Sequence, residues 1–198
     1  FPSTSPAYNT TVGNKYTYQP STAKSMLARA GFPNGVSFNL VYPAGEAEYQ
    51  SAATIMKAEL APAGFNVSLT QIPGADILTD VYENKEANAV LIENSSNGPD
   101  LANNFESSYE STGFVAQALG SVNAQLTPLI KQASNSISAT VQGPLMQQAS
   151  AIVMSEGLEV PVVFIPQMVA YNKARVGGTV VAPIGFCKAA LVGVYIKK

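Results

Sequence analysis

Residues 36–69 read VSFNLVYPAGEAEYQSAATIMKAELAPAGFNVSL, and this stretch decides the fold class. Val36, Phe38, Leu40 and Tyr42 alternate with Ser37 and Asn39, the period of a strand with one face on a core. A turn at Pro43, Ala44, Gly45 and Glu46 follows. Ala52, Ile55, Met56, Leu60 and Ala63 then form a stripe at helical spacing. Pro62 loosens the last turn, because it brings no N–H, and Gly64 ends the helix. Phe65, Val67 and Leu69 return to a period of two. The pattern is strand, helix, strand.

The same alternation extends outward. Upstream, Pro20 suits the first position of a helix, where its missing N–H is not needed. Ala23, Met26, Leu27 and Ala30 continue that helix, Gly31 ends it, and Phe32 can make the contact that accompanies such an end. Residues 1–19 lack periodicity and read as an extended lead-in. Downstream, a short helix is expected over 75–83 and a third strand over 87–92. Val90, Leu91 and Ile92 show no polar alternation, as expected for a strand buried on both faces. Two helices follow, one on Val122, Leu126, Leu129, Ile130 and Ala133, the other on Val141, Leu145, Ala149, Ile152 and Val153. Residues 159–165, 168–172 and 190–198 read as strands. Strands alternating with helices predict an α/β domain over 20–198, with a mixed, largely parallel sheet flanked by helices.

Composition narrows the chemistry. Hydrophobic residues make up 46% of the 198, enough for a sizeable core, and charged residues only 12%. Net charge is −2 with no basic run, which argues against nucleic acid as a partner. No apolar run reaches the length of a membrane span. The chain has no histidine, which excludes Ser-His-Asp and Cys-His catalysis and His-containing zinc sites. No phosphate-binding or nucleophile-elbow motif is present. Cys187 is alone, so it forms no internal disulfide and reads as a free, structurally minor thiol.

One stretch stands out chemically. After Ile92 the chain runs through Glu93, Asn94, Ser95, Ser96 and Asn97 to Gly98, Pro99 and Asp100. In open α/β sheets ligands lie beyond the carboxyl ends of the strands. Asn94, Ser95, Ser96 and Asn97 can therefore supply donors and acceptors for a polar ligand, or form a solvated turn. Asp100 can cap the following helix or face a cationic group, and the first N–H groups of that helix offer a weak anion site. Tyr42, at another strand end, is core edge or cleft wall. Glu46, Glu48, Glu106 and Glu110 could be paired as acids for glycoside hydrolysis, but isolated acids on helices are usually solvated.

Several segments, in order, resemble one family. YTYQPSTAKSMLARAGFPNG (16–35) is similar to its Tyr-x-Tyr-Asp-Pro helix with an Ala-Gly-aromatic end. VSFNLVYP and AATIMKAELAPAGFNVSL resemble the next strand, helix and strand. NSSNGPDLANNF (94–105) stands where the family has an Asp- and Pro-rich loop, and LMQQASAIVMSEGLEVPVVFIPQMVAYNKARVGG (145–178) resembles its closing helix and strand pair. The family is the extracellular solute-binding proteins of family 5, the dipeptide- and oligopeptide-binding proteins of ABC importers. Gln19 stands in place of the family's capping Asp, and no Trp occurs.

The resemblance implies the C-terminal lobe of a two-lobed, type II periplasmic-binding-protein-like fold, with residues 176–198 free to return toward the other lobe. It implies a monomeric binding module without catalysis or cofactor. Such a module captures a peptide-like or other polar solute and passes it to an ABC permease. It would work outside the cytoplasm, in a periplasm or as a cell-surface lipoprotein. Asn94, Ser95, Ser96, Asn97, Asp100 and Tyr42 are the candidate ligand residues, Asp100 being the nearest match to the Asp that binds a peptide's amino terminus. Two other readings stand beside it: a carboxylate-based hydrolase domain, and a structural cell-surface domain.

Overall fold

Two parallel strands start at a pair of glycines. The computed structural model describes residues 1–13, 15–93, 100–165, 170–178 and 193–197. Its elements begin with α1 (Thr10–Gly13), α2 (Pro20–Arg29), β1 (Val36–Pro43), α3 (Ala47–Leu60), β2 (Phe65–Ile72) and β3 (Ala89–Val90). They continue with α4 (Asn103–Tyr109), α5 (Phe114–Leu119), α6 (Thr127–Ser134), α7 (Ala139–Glu156), β4 (Val176–Gly177) and β5 (Tyr195–Ile196). Contacts divide the chain into two units.

The sheet unit comprises Asn14–Glu93 and Phe114–Ser121. Its strands run parallel in the order β2-β1-β3, with Val36 opposite Phe65 and Leu40 opposite both Leu69 and Ala89. Val36 N–H donates to the Gly64 carbonyl at 3.0 Å, setting that register. Gly35 and Gly64 both have positive φ, and a Cβ on Gly35 would run into the Gly64 carbonyl oxygen. Leu40 and Tyr42 face α3, together with Ala53 and Val67, while Val41 packs on the other face with Ile77 and Val81. β1 is thus buried on both faces, as a central strand should be.

The helical phase of α3 differs from expectation. Tyr49, Ala53, Met56 and Leu60 face the sheet, spaced four, three and four apart, whereas Ile55 is 57% exposed. Met56 and Leu60 fit either phase, but the small Ala53 allows helix and sheet a closer approach than Ile55 would. At α2, the Phe32 N–H bonds to the Leu27 carbonyl and the Gly31 N–H to the Ala28 carbonyl, with Gly31 at φ 95, a Schellman end. Gln19 makes no capping bond to the α2 backbone; its Oε1 accepts instead from the Thr22 hydroxyl at 3.2 Å.

Residues 74–83 form a 3₁₀ turn and a π turn rather than an α-helix. The third strand is corrected too. It spans two residues, extended by the Leu91 N–H to Val41 carbonyl bond, and Ile92 is 38% exposed. β3 lies at the edge of the described sheet, so one flank lacks a strand among the described residues. Helix α5, with no expectation from sequence, brings Phe114 edge-on to Tyr82 with ring centres 5.5 Å apart.

The helical unit comprises Phe1–Gly13, Asn94–Gly113 and Val122–Lys198. Leu126, Ile130 and Ala133 of the α6 region pack against Met146, Ala149 and Val153 of α7, with Ala7 and Tyr109 in the same core. The expected lead-in is packed over residues 1–13: Ala7 is fully buried and Asn9 Nδ2 donates to the Gln147 carbonyl at 2.8 Å. Gly157, at φ 65, ends α7 in the left-handed region. Residues 159–165 form no strand, and Val160, Val163, Phe164 and Ile165 are exposed. Residues 170–172 are not a strand either, and 168–169 lie outside the described residues. Of the expected last strand, Tyr195–Ile196 form β5, antiparallel to β4, residues 193–194 are not strand, and 190–192 and 198 lie outside the described residues.

Two glycine substitutions should separate close approach from backbone strain. Gly157→Ala meets open space and should cost about 1 kcal/mol, the penalty of a left-handed alanine. Gly35→Ala adds a collision with backbone that cannot rotate away, and should cost about 3 kcal/mol or more. Denaturant midpoints of the two variants test this ordering.

Candidate functional site

The polar stretch after β3 is secured at its upstream end within the sheet unit. Glu93 N–H donates to Tyr49 Oη at 3.0 Å. Burial, more than the neighbouring carboxylates, pushes the Tyr49 hydroxyl's pKa up, so it remains protonated. Asn94, Ser95, Ser96 and Asn97 lie outside the described residues, as does Cys187.

The downstream end is secured within the helical unit by Gln142, which is fully buried on α7. Its Nε2 donates to Asp100 Oδ1 and to the Ser136 carbonyl, both at 2.7 Å, with a longer 3.3 Å approach to the Ala133 carbonyl. Its Oε1 accepts from Leu101 N–H at 2.9 Å. The amide therefore uses both donors and its acceptor. Asp100 Oδ1 also accepts from Ala102 N–H at 2.9 Å, two residues on, closing an Asx turn before α4. Both of these bonds reach Oδ1; Oδ2 has no partner among the described residues.

Asp100 therefore sits ahead of the helix rather than at its cap. The residue preceding α4 is Ala102, which has no capping side chain. The Leu101 and Ala102 N–H groups ahead of α4 are engaged by Gln142 and Asp100, and α4 itself has seven residues and begins at Asn103. Tyr42 is 5% exposed and packs with Leu40, Ala53 and Val67, so its ring belongs to the core.

The acids considered for hydrolysis divide between the two units. Glu46 and Glu48 are exposed in the sheet unit. Glu106 accepts from the Ser134 hydroxyl in the helical unit, and Glu110 has one buried carboxylate oxygen, Oε1, without a hydrogen bond among the described residues. Among the described residues no three His, Cys, Asp or Glu side chains are grouped to hold a metal, and no helix is long and apolar enough to cross a membrane.

Sequence reading missed two polar anchors. Gln142 had a faint signal: it lies on the buried stripe Gln142, Met146, Ala149, Val153. The Tyr109–Glu159 pair had none, its partners being 50 residues apart. Tyr109 Oη donates to Glu159 Oε2 at 2.7 Å, tying α4 to the segment after α7.

Comparison with known proteins adds the family. The model of the bacterial extracellular solute-binding proteins, family 5 Middle, matches residues 1–115, more than half of the chain. The chain belongs to this family. Among solved structures, HbpA2 from Haemophilus parasuis is 23% identical at a TM-score of 0.71, the match covering 99% of this chain and 40% of HbpA2. DppA from Helicobacter pylori, solved with the peptide STSA, is 20% identical at 0.63, covering 80% of this chain and 31% of DppA. AgaA from A. tumefacien R10, solved with agropinic acid, is 16% identical at 0.68, covering 80% and 32%. A search of curated protein sequences gives no match. This chain thus covers 31% to 40% of the length of these proteins and shares their α/β fold, with its parallel sheet and flanking helices.

Tyr109 gives the site's surroundings a pH signature. Burial first, and then Glu159 through its charge and hydrogen bond, push the phenol's pKa far up. The folded state keeps a proton that the unfolded chain releases above about pH 10. The stability due to this pair is full below that value and declines as pH rises past it. Melting temperature should therefore fall between about pH 9 and pH 11, and Tyr109→Phe should flatten part of that fall. The variant should also lose about 1 kcal/mol at neutral pH with the hydrogen bond. An unchanged alkaline slope in the variant would contradict the assignment.

Proposed function

We propose that this chain is the ligand-binding lobe of a substrate-binding protein that captures a small, peptide-like or otherwise polar solute for an ABC importer. The observation that carries the reading is Asp100: a carboxylate held, among the described residues, through one oxygen, at the end of a polar stretch following a strand's carboxyl end. Asn94, Ser95, Ser96 and Asn97 supply neutral donors and acceptors to the solute. Asp100 Oδ2 faces its cationic group, the amino terminus where the solute is a peptide. Tyr42 supports the neighbouring strand end from within the core. Family membership supports binding over turnover, and the peptide held by DppA supports the solute class. In this reading the protein works outside the cytoplasm as a monomer and hands its solute to a membrane permease, without chemistry on the solute and without a cofactor.

The test is NMR shift titration with the tetrapeptide STSA, the peptide bound by DppA. A lobe that carries half the contacts of a micromolar site should bind at about 1 mM or more weakly, since the cost of immobilising the ligand does not halve. Asn94→Ala, Ser95→Ala and Asp100→Asn together should weaken binding at least about tenfold, about 1.4 kcal/mol. Asn at position 100 keeps the acceptor that Gln142 and Ala102 use, so the fold is spared. Unchanged affinity in the triple variant would refute the assignment.

A further inference from the structure

We infer that Gln142 is the positioning residue for the Asp100 carboxylate, and that solute affinity depends on it although it lies within the core. The inference rests on the reading of Asp100 as a solute ligand and names the device that aims it. A carboxylate on a free rotor would present either oxygen in several directions. Here Gln142 Nε2 and Ala102 N–H both hold Oδ1, which fixes the plane of the group and, among the described residues, leaves Oδ2 as the oxygen to offer. Gln142 is itself immobilised: its second N–H is on the Ser136 carbonyl and its Oε1 holds Leu101 N–H. Asp100, Leu101 and the end of the α6–α7 connection are therefore referenced to one rigid amide on an 18-residue helix. Preorganised ligand residues lose less freedom on binding, so the benefit appears as affinity.

A glutamine with only a structural role would make the same bonds, so the test needs a readout that such a role would not move. Gln142→Glu keeps the shape and the acceptor for Leu101, but places an oxygen where Asp100 Oδ1 needs a donor. The 198-residue chain is titrated with STSA and followed by 1H–15N NMR, with melting temperatures recorded in parallel. In the unsubstituted chain, the Gln142 side-chain amide signals should shift with the same dissociation constant as the Asp100 and Ala102 backbone amides. Gln142→Glu should weaken binding by about tenfold, as Asp100→Asn does, and the double variant should be no weaker than the weaker single one, the non-additivity of residues acting as a unit.

Two results would overturn the inference while leaving the reading of Asp100 intact. One is Asp100→Asn weakening binding while a folded Gln142→Glu does not. The other is a Gln142 side-chain amide that stays still while the Asp100 amide moves; it needs no variant, so it applies even if Gln142→Glu does not fold. Unchanged affinity in Asp100→Asn, or no shifts with STSA at all, removes the reading and the inference together.

Discussion

A buried carboxamide must find all its hydrogen bonds inside the protein, and this requirement at Gln142 organises the helical unit around the candidate site. Each unsatisfied group there would cost about 1–3 kcal/mol. The side chain meets the requirement by drawing together three pieces of backbone: the turn after α6, the Leu101 N–H, and Asp100 through its carboxylate. Leu126, Ile130, Met146 and Val153 supply the apolar burial that gives the amide no alternative in water. Apolar packing stabilises the unit; the amide specifies how the chain leaves the polar stretch and enters α4.

The order of the first strands and helices, α2 to β3, and of α6 and α7 was legible in the sequence, but their phases were not. On α7 the apolar residues suggested a stripe through Val141 and Leu145, yet Val141 is 46% exposed and the buried line runs through Gln142 and Met146. A polar side chain at a core position defeats any reading based on hydropathy, because burial there is decided by its hydrogen-bond partners, of which Asp100 and Leu101 lie more than 40 residues away in sequence. On α3 the same error has a different cause: Ala53 is buried where Ile55 was expected, since close approach to the sheet favours the smaller residue. The glycines at 31 and 64 were the more readable punctuation, each lying in the left-handed region just past a helical segment. Apolar content alone misled at 159–165, which has the composition of a strand but pairs with none among the described residues.

The candidate site was legible only in part, for the same reason. Asp100 was visible as a charged residue after a run of small polar ones, but not as a carboxylate held by one oxygen. Tyr42 illustrates the converse: a strand-end aromatic has the chemistry of a cleft wall, and its placement in the core follows from the β1 register and the packing of α3. The acids that raised the prospect of hydrolysis have other surroundings. Glu106 is engaged by Ser134 and Glu110 buries one carboxylate oxygen, while Glu46 and Glu48 lie exposed in the sheet unit. A chain without histidine has few ways to move protons near neutral pH. Its wealth of neutral amides and hydroxyls is suited to holding a polar molecule.

We propose that this protein holds a solute without altering it. Native mass spectrometry of the protein expressed from its natural gene and purified from its own host tests that most directly. The account predicts a discrete adduct of small mass, released chemically intact on denaturation. A protein that carries no adduct under conditions preserving its fold, or that releases a cleaved product, would contradict it.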